Sequence, residues 1–290
     1  MQLVVLGVGL IGGSLLLALR RAGAAARIVA WDPDPAALET ARARGMIDRA
    51  GRDVEDAVRG GDMVVLGAPP MACEELLAPV AAALNGGAVL TDVCSVKEAL
   101  VRCGRQVLAA ALPRFVPGHP IAGTERSGAA AADAGLFCGC RVVLTPLPET
   151  EPEARRRVAS LWRAAGAAEV IEMEPGRHDA LLAATSHLPH MLAYTLADEL
   201  LSRHGGEMVS RLAAGGLRGF TRVASSSPRL WTEICLANRG HIAASLESFG
   251  ERLQGLAAAV RAGDRDRLHD FFRRAKALRD SGLAQRRDEG

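Results

Sequence analysis

A glycine-rich turn sits at the start of the chain. Gly7-Val8-Gly9-Leu10-Ile11-Gly12 has the spacing G-x-G-x-x-G and lies between an apolar run at 3–6 and a helical pattern beginning near Leu10. Each glycine has a task in holding a dinucleotide. Gly7 allows the tight turn, Gly9 lets the backbone approach a pyrophosphate, and Gly12 lets helix and strand pack closely. The helix N-terminus at Leu10 and Ile11 adds free N–H groups and a positive dipole end for the phosphates. Asp32 ends the next strand candidate, twenty residues after Gly12. Its carboxylate can accept hydrogen bonds from ribose hydroxyls and repels a 2′-phosphate, so NAD is expected over NADP. A structural turn beside a solvated Asp32 is the bland alternative. Strand, spacing and acid together weigh against it.

His119 could do the proton chemistry. It precedes Pro120, and a residue before proline is pushed out of the helical region. It is therefore expected on an extended segment, where an imidazole can take a proton from a substrate hydroxyl as hydride leaves the same carbon. A lone histidine is more often structural. The placement of this one argues otherwise, because several marked residues follow strand candidates in the same way. Ala68-Pro69-Pro70 follows 63–66, Ser95 follows 88–91, and His119 follows 115–116. Ligands of open parallel sheets bind outside the carboxyl ends of the strands. Gly9, Asp32, Pro69, Ser95 and His119 thus gather around one crevice.

The elements that must position these groups form an alternating pattern. Strand candidates at 3–6, 28–31, 63–66, 88–91, 115–116, 142–144 and 169–171 are rich in Val, Ile and Leu with little alternation, as strands buried on both faces are. Helical patterns lie between them. Asp34-Pro35 is an N-cap and first-turn proline for a helix ending near Gly45, and Gly23 and Gly104 are stops or breaks for others. Short crossovers imply a parallel sheet with helices on both faces. After Pro175 no strand is expected. Residues 178–204 read as one long helix, and Ser227-Pro228 caps another. Within the latter, Ile242, Leu246, Phe249, Leu253, Leu256 and Val260 recur at steps of four and three, a seam of about two and a half heptads. It can pack on a helix of the same chain or on a second copy. A last helix follows Asp264. The expected architecture is a Rossmann-type α/β NAD-binding domain over 1–174 and an all-α helical domain over 175–290 for substrate and dimerisation.

Composition excludes other roles. Net charge is +2 and aromatics make up 3% of the 290 residues, so neither a nucleic acid nor an anionic membrane surface is expected as a partner, and no base-stacking platform for single strands is indicated. No signal peptide or bilayer-length apolar segment is visible, which predicts a soluble, cytoplasmic protein. The six cysteines include no C-x-x-C pair, and no metal site is expected.

Five blocks carry a family resemblance: GVGLIGGS at 7–14, TDVCSVK at 91–97, GHPIAGTERSG at 118–128, SHLPH at 186–190 and FTRVASSSPRLW at 220–231. Together they resemble the prephenate/arogenate (cyclohexadienyl) dehydrogenases, whose blocks occur in this order. The resemblance implies oxidative decarboxylation of a cyclohexadiene with NAD in tyrosine biosynthesis. It makes His119 the base on the ring hydroxyl, with Ser95 bonding the hydroxyl or His119. It makes Arg222 the partner of a substrate carboxylate, with His190 and His187 lining the pocket. Thr124, Glu125 and Trp231 lie in matching blocks and shape the pocket or the interface. Simpler roles compete. Ser95 and Glu98 have the spacing of a capping box, Arg222 can be a surface ion pair, and Trp231 can be core. Pro189 is expected to kink the helix between the two histidines. Many members carry an acid where this chain has Gly219, which leaves prephenate and arogenate undistinguished. Two other readings are a dehydrogenase of small hydroxy acids and an NAD-binding sensor without catalysis. The former is expected to need a lysine on the helical domain, and the only lysines are Lys97 and Lys276. The latter needs no base.

Overall fold

The structure is a computed structural model and describes residues 1–283. Six parallel strands form the main sheet: β1 (Gln2–Leu6), β2 (Arg27–Trp31), β3 (Arg49–Ala50), β4 (Met63–Leu66), β5 (Val89–Asp92) and β6 (Phe115–Val116), in the order β3-β2-β1-β4-β5-β6. The order reverses direction at β1 and β4, the switch point at which open parallel sheets bind ligands. Helices connect the strands: α1 (Leu10–Arg21), α2 (Pro35–Ala43), α3 (Val54–Val58), α4 (Pro70–Ala83) and α5 (Glu98–Val107).

Strand residues alternate between two cores. Leu3, Val5, Ile28, Ala30, Met63 and Val65 pack with Leu15, Leu16 and Leu19 of α1. Val4, Leu6, Val29, Val64, Leu66 and Leu90 pack with Val58, Leu77 and Leu100 on the other side. Both strand faces are therefore apolar, which explains the continuous apolar runs. Asp34 accepts a hydrogen bond from Ala36 N and Pro35 starts α2, while Gly45 follows it at φ +65. Gly104 does not break a helix. It lies inside α5, where an added Cβ would sit 3.1 Å from the Phe115 ring.

The expected single sheet is in fact two. β7 (Gly118–Ile121), β8 (Arg141–Leu144) and β9 (Glu169–Glu172) form a separate sheet, with β7 antiparallel to β8. α6 (Pro152–Ala164) links β8 to β9. Pro117 has no N–H to continue the first ladder, and Pro120 restricts β7 to an edge. His119 is thus extended, as a residue before proline should be, but as a strand residue rather than a loop residue.

The later helices are α7 (Pro175–Leu182), α8 (Leu188–His204), α9 (Gly206–Leu212), α10 (Gly215–Thr221), α11 (Pro228–Ala237), α12 (Arg239–Ala262) and α13 (Arg265–Leu283). The helix expected over 178–204 starts earlier and contains a π-helical segment, Ala183–His187. Pro189 cannot donate to the carbonyl four residues back and its ring crowds it, so the ladder widens there. The helix capped by Ser227, which accepts from Leu230 N, ends at Ala237 rather than running through the seam. Asn238, at φ −112 and ψ 30, separates it from α12.

Two compact units emerge, Met1–Ile242 and the chain from Ala243 onward. In the second, Gly263 turns α12 into α13 at φ +62. Seam residues Leu246, Leu253 and Val260 are 37%, 49% and 61% exposed, and Phe272 and Leu278 are exposed as well. Among the described residues, no helix is long and apolar enough to cross a membrane, and no group of three His, Cys, Asp or Glu could hold a metal ion.

Candidate active site

The glycine turn has the geometry of a dinucleotide cradle. Gly7 sits at φ +102, and a Cβ on it would lie 2.7 Å from the Gly67 carbonyl carbon. A Cβ on Gly12 would collide with the Gly7 carbonyl oxygen. A Cβ added to Gly9 would point into open space, with nothing within 4 Å, so this face is open to a phosphate. No side chain caps the N-terminus of α1, leaving its first turn, with Leu10 and Ile11, to an anion. Asp32 is half-buried at the end of β2. Its Oδ2 accepts from Val8 N at 2.6 Å and its Oδ1 from Asp34 N at 2.9 Å. The adenosine-side acid is therefore tied to the turn itself. Ala68 and Pro69 flank the same turn from the end of β4, with Ala68 N 2.8 Å from the position of a Gly7 Cβ. A dinucleotide fits these residues.

The next strand end carries a buried ion pair. Lys97 and Asp92 are both fully buried and bonded to each other, and Lys97 Nζ also donates to the Gly118 carbonyl at 2.7 Å. Asp92 completes its shell with the N–H groups of Cys94 at 2.9 Å and Gly118 at 3.1 Å. One carboxylate and one ammonium thus join the end of β5 to the first residue of β7, directly before His119. The sequence gives Lys97 no obvious task. Its partner lies five residues back, and the carbonyl it meets lies on another sheet.

His119 belongs to a chain of rings. Its Nδ1 lies 2.9 Å from His178 Nε2, and His178 Nδ1 lies 2.7 Å from Asp179 Oδ1. Asp179 also accepts from Lys97 N at 2.8 Å and Glu98 N at 2.9 Å, which caps α5. Ser95 is not that cap. Its hydroxyl is half-buried and makes no hydrogen bond to a described residue, and Glu98 meets His241 at 3.3 Å instead of closing a box. Nor does Ser95 bond His119, whose Nδ1 is already taken by His178. Burial holds the His119 pKa well below the ordinary imidazole value, helped by His178 and by the positive charge of Lys97. His178 is lowered too, mainly by burial.

The helical segments add a second wall. His190 stacks on Trp231 with ring centroids 4.0 Å apart, and His187 meets the same indole edge-on at 5.9 Å. Trp231 is both core and wall, being 8% exposed and clustered with Val96, Ala183 and Ile234. Asn238 Nδ2 donates to the Asp179 carbonyl at 2.9 Å and lies 3.2 Å from His187 Nδ1. Arg222 is exposed and paired with Glu125, whose segment also contains exposed Thr124. Its own backbone N–H, and then the Arg222 charge, lower the Glu125 pKa from its ordinary value. Lys97 is committed to Asp92 and Lys276 to Asp280 on the surface of α13.

Spacing singled out the turn, Asp32, Ser95 and His119, and the family resemblance singled out His187, His190 and Trp231, which the structure brings together. Both missed His178, Asp179, Asn238 and the role of Lys97. The signal for the first two was an acid adjacent to a histidine in the first turns of a helix, and nothing in sequence tied it to residue 119.

Four depressed histidines couple this site to stability. His187 falls to about 4, and His119, His178 and His190 shift in the same direction, all chiefly through burial. The unfolded chain binds these protons near pH 6.5 and the folded chain does not. The stability is therefore complete above pH 6.5 and is lost as pH falls from there through about 4. His187 alone can contribute as much as about 3 kcal/mol. Thermal melts at pH 7.5 and 4.5 should show a clear fall in Tm, and His187→Gln should flatten it.

Comparison with known proteins agrees with this geometry. The sequence profile of the prephenate dehydrogenase nucleotide-binding domain matches residues 15–171, and that of the prephenate dehydrogenase dimerization domain matches 174–274. The cyclohexadienyl dehydrogenase of Zymomonas mobilis is 34% identical over 96% of this chain and 94% of its own. The crystal structure of Aquifex aeolicus prephenate dehydrogenase with hydroxyphenyl propionate and NAD+ is similar at a TM-score of 0.88 and 32% identity, over 97% and 98% of the two chains. The Synechocystis arogenate dehydrogenase structure is similar at 0.79 and 29%, over 97% and 99%. With a cradle for a dinucleotide and these profile matches and relatives along its length, the chain belongs to the prephenate dehydrogenase family.

Proposed function

We propose that the protein catalyses the NAD-dependent oxidative decarboxylation of prephenate, of arogenate, or of both, in tyrosine biosynthesis. The observation that carries this is the chain of contacts from His119 through His178 to Asp179, tied to the end of β5 by Asp92 and Lys97, in a protein that also holds the glycine turn. Bound NAD would supply the hydride acceptor for the ring carbon that bears the hydroxyl. His119 Nε2 takes the hydroxyl proton as that carbon becomes a carbonyl. The bond to the ring carboxylate then breaks, carbon dioxide leaves, and its electron pair completes the aromatic ring. The new phenolate oxygen takes the proton back from His119. The proton is borrowed, so the site needs a base that is neutral between turnovers and a fixed ring position.

The remaining residues hold the substrate. Ser95, whose hydroxyl has no hydrogen-bond partner among the described residues, donates to the ring hydroxyl oxygen. Arg222 turns from Glu125 to a substrate carboxylate, for which its planar fork is suited. His190, Trp231 and His187 wall the ring, and Thr124 and Glu125 border the mouth. Gly7, Gly9, Leu10, Ile11, Gly12, Asp32, Ala68 and Pro69 hold NAD. Residues 1–174 serve as the NAD-binding domain and 175–290 as the helical domain, a division supported by the two profile matches meeting between 171 and 174. The six free cysteines suit a cytoplasmic protein.

The test is NADH formation with prephenate and with arogenate, each repeated with NADP. Formation of NADH with neither substrate would refute the reading. Arg222→Ala should raise KM for the active substrate by about 10- to 100-fold with a smaller change in kcat. An unchanged KM would remove Arg222 from substrate binding.

The protein is also proposed to be a homodimer. Leu246, Leu253 and Val260 of the α12 seam remain exposed in one chain, and the dimerization profile includes them. Light scattering at micromolar concentration should give twice the chain mass for the wild type and the single mass for Leu253→Arg.

A further inference from the structure

His119 can act as a base only if its lone pair faces the substrate, and nothing in the ring itself decides which nitrogen carries the proton. The surrounding donors do. Asp179 receives the backbone N–H groups of Lys97 and Glu98 and the His178 Nδ1 contact, at 2.8, 2.9 and 2.7 Å. Backbone N–H groups only donate, so this carboxylate is an acceptor throughout, and His178 must place its proton on Nδ1. His178 Nε2 then carries a lone pair. It lies 2.9 Å from His119 Nδ1, which must supply the hydrogen. The free lone pair of His119 is left on Nε2.

We propose that His178 and Asp179 are positioning residues that fix His119 as the Nδ1–H tautomer and present Nε2 to the ring hydroxyl. This rests on His119 being the base. The same chain of contacts also steadies the protonated state. When Nε2 accepts the hydroxyl proton, the Nδ1 proton can move to His178 Nε2. The positive charge then lies next to the Asp179 carboxylate, and it returns by the same path when the phenolate is reprotonated. No proton is gained or lost. Other charged or titratable groups facing the pair are Lys97, Asp92 and His187. Lys97 disfavours a charge on either ring, so Asp179 is the compensating acid within hydrogen-bond reach. Asp179 also holds Asn238 through its carbonyl, at 2.9 Å, so the dyad, the start of α5 and the end of α11 share one anchor.

Two variants separate positioning from mere structure. His178→Gln keeps an acceptor for His119 Nδ1, and His178→Leu removes it at similar volume. The Leu variant should lose about 100-fold in kcat, at the lower end of what a general base contributes, with KM for substrate and Kd for NAD within about threefold. The Gln variant should recover at least tenfold of that loss. Nitrogen-15 NMR of the histidine rings reads the tautomer without turnover. Wild type should show His119 protonated on Nδ1, and the Leu variant a mixture. A wild-type His119 carrying its proton on Nε2 would overturn the proposal even if no variant folds. So would a folded Leu variant with kcat within twofold of wild type. If His119→Asn itself left turnover intact, the reading of the site would fail instead.

Discussion

His119→Asn is expected to lower kcat by about 1000-fold, within the range that a general base contributes. Asparagine can place an N–H where Nδ1 was, so the contact to His178 and the extended backbone before Pro120 survive. What is lost is the acceptor at Nε2. NAD affinity should stay within about twofold, because the cradle is built from β1, β2 and β4 rather than from β7. The pH profile tests the same assignment. A base works only when deprotonated, and the His119 pKa lies well below 6.5. The acidic limb of kcat/KM should therefore fall below pH 6.5, not at it. Turnover within tenfold of wild type in the variant would remove His119 from the chemistry.

Lys97→Met should destabilise the fold by about 3 to 5 kcal/mol, the usual effect of removing one partner of a buried ion pair. Asp92 would keep only the Cys94 and Gly118 N–H groups, and the Gly118 carbonyl would lose its donor. A fall in Tm of about 10 °C follows for a chain of this size. Because Gly118 precedes His119, kcat should fall as well, through displacement of β7. The double variant Asp92→Asn, Lys97→Met removes the uncompensated charge and should regain part of the Tm while kcat stays low. If Lys97→Met melted within 2 °C of wild type, the pair would not hold the two sheets together.

The nucleotide half of the protein was legible because its signals are local. A glycine turn, an apolar run before it and an acid twenty residues on are properties of one βαβ unit. The backbone approach at Gly7 and Gly12 leaves no room for another residue. The capping of α2 by Asp34 and of α11 by Ser227 was legible for the same reason. Errors arose where proline or a distant partner overrode the pattern. Pro117 and Pro120 detached His119 into a second sheet, and Pro189 put a π-helical turn into an otherwise regular helix. Ser95 looked like a cap by spacing, yet Asp179 took that task from 82 residues along the chain.

The sequence by itself determined the dinucleotide cradle, the extended setting of His119 and the family. These depend on residues close in the chain whose backbone demands are strict. The tertiary structure alone decided how His119 is held. The chain from His119 through His178 to Asp179, and the pairing of Lys97 with Asp92 beneath it, join segments of separate sheets and helices. Hydrogen bonds between such segments leave no periodicity or spacing to read. They exist because buried polar groups must find partners, and only the folded chain shows which partners are within reach.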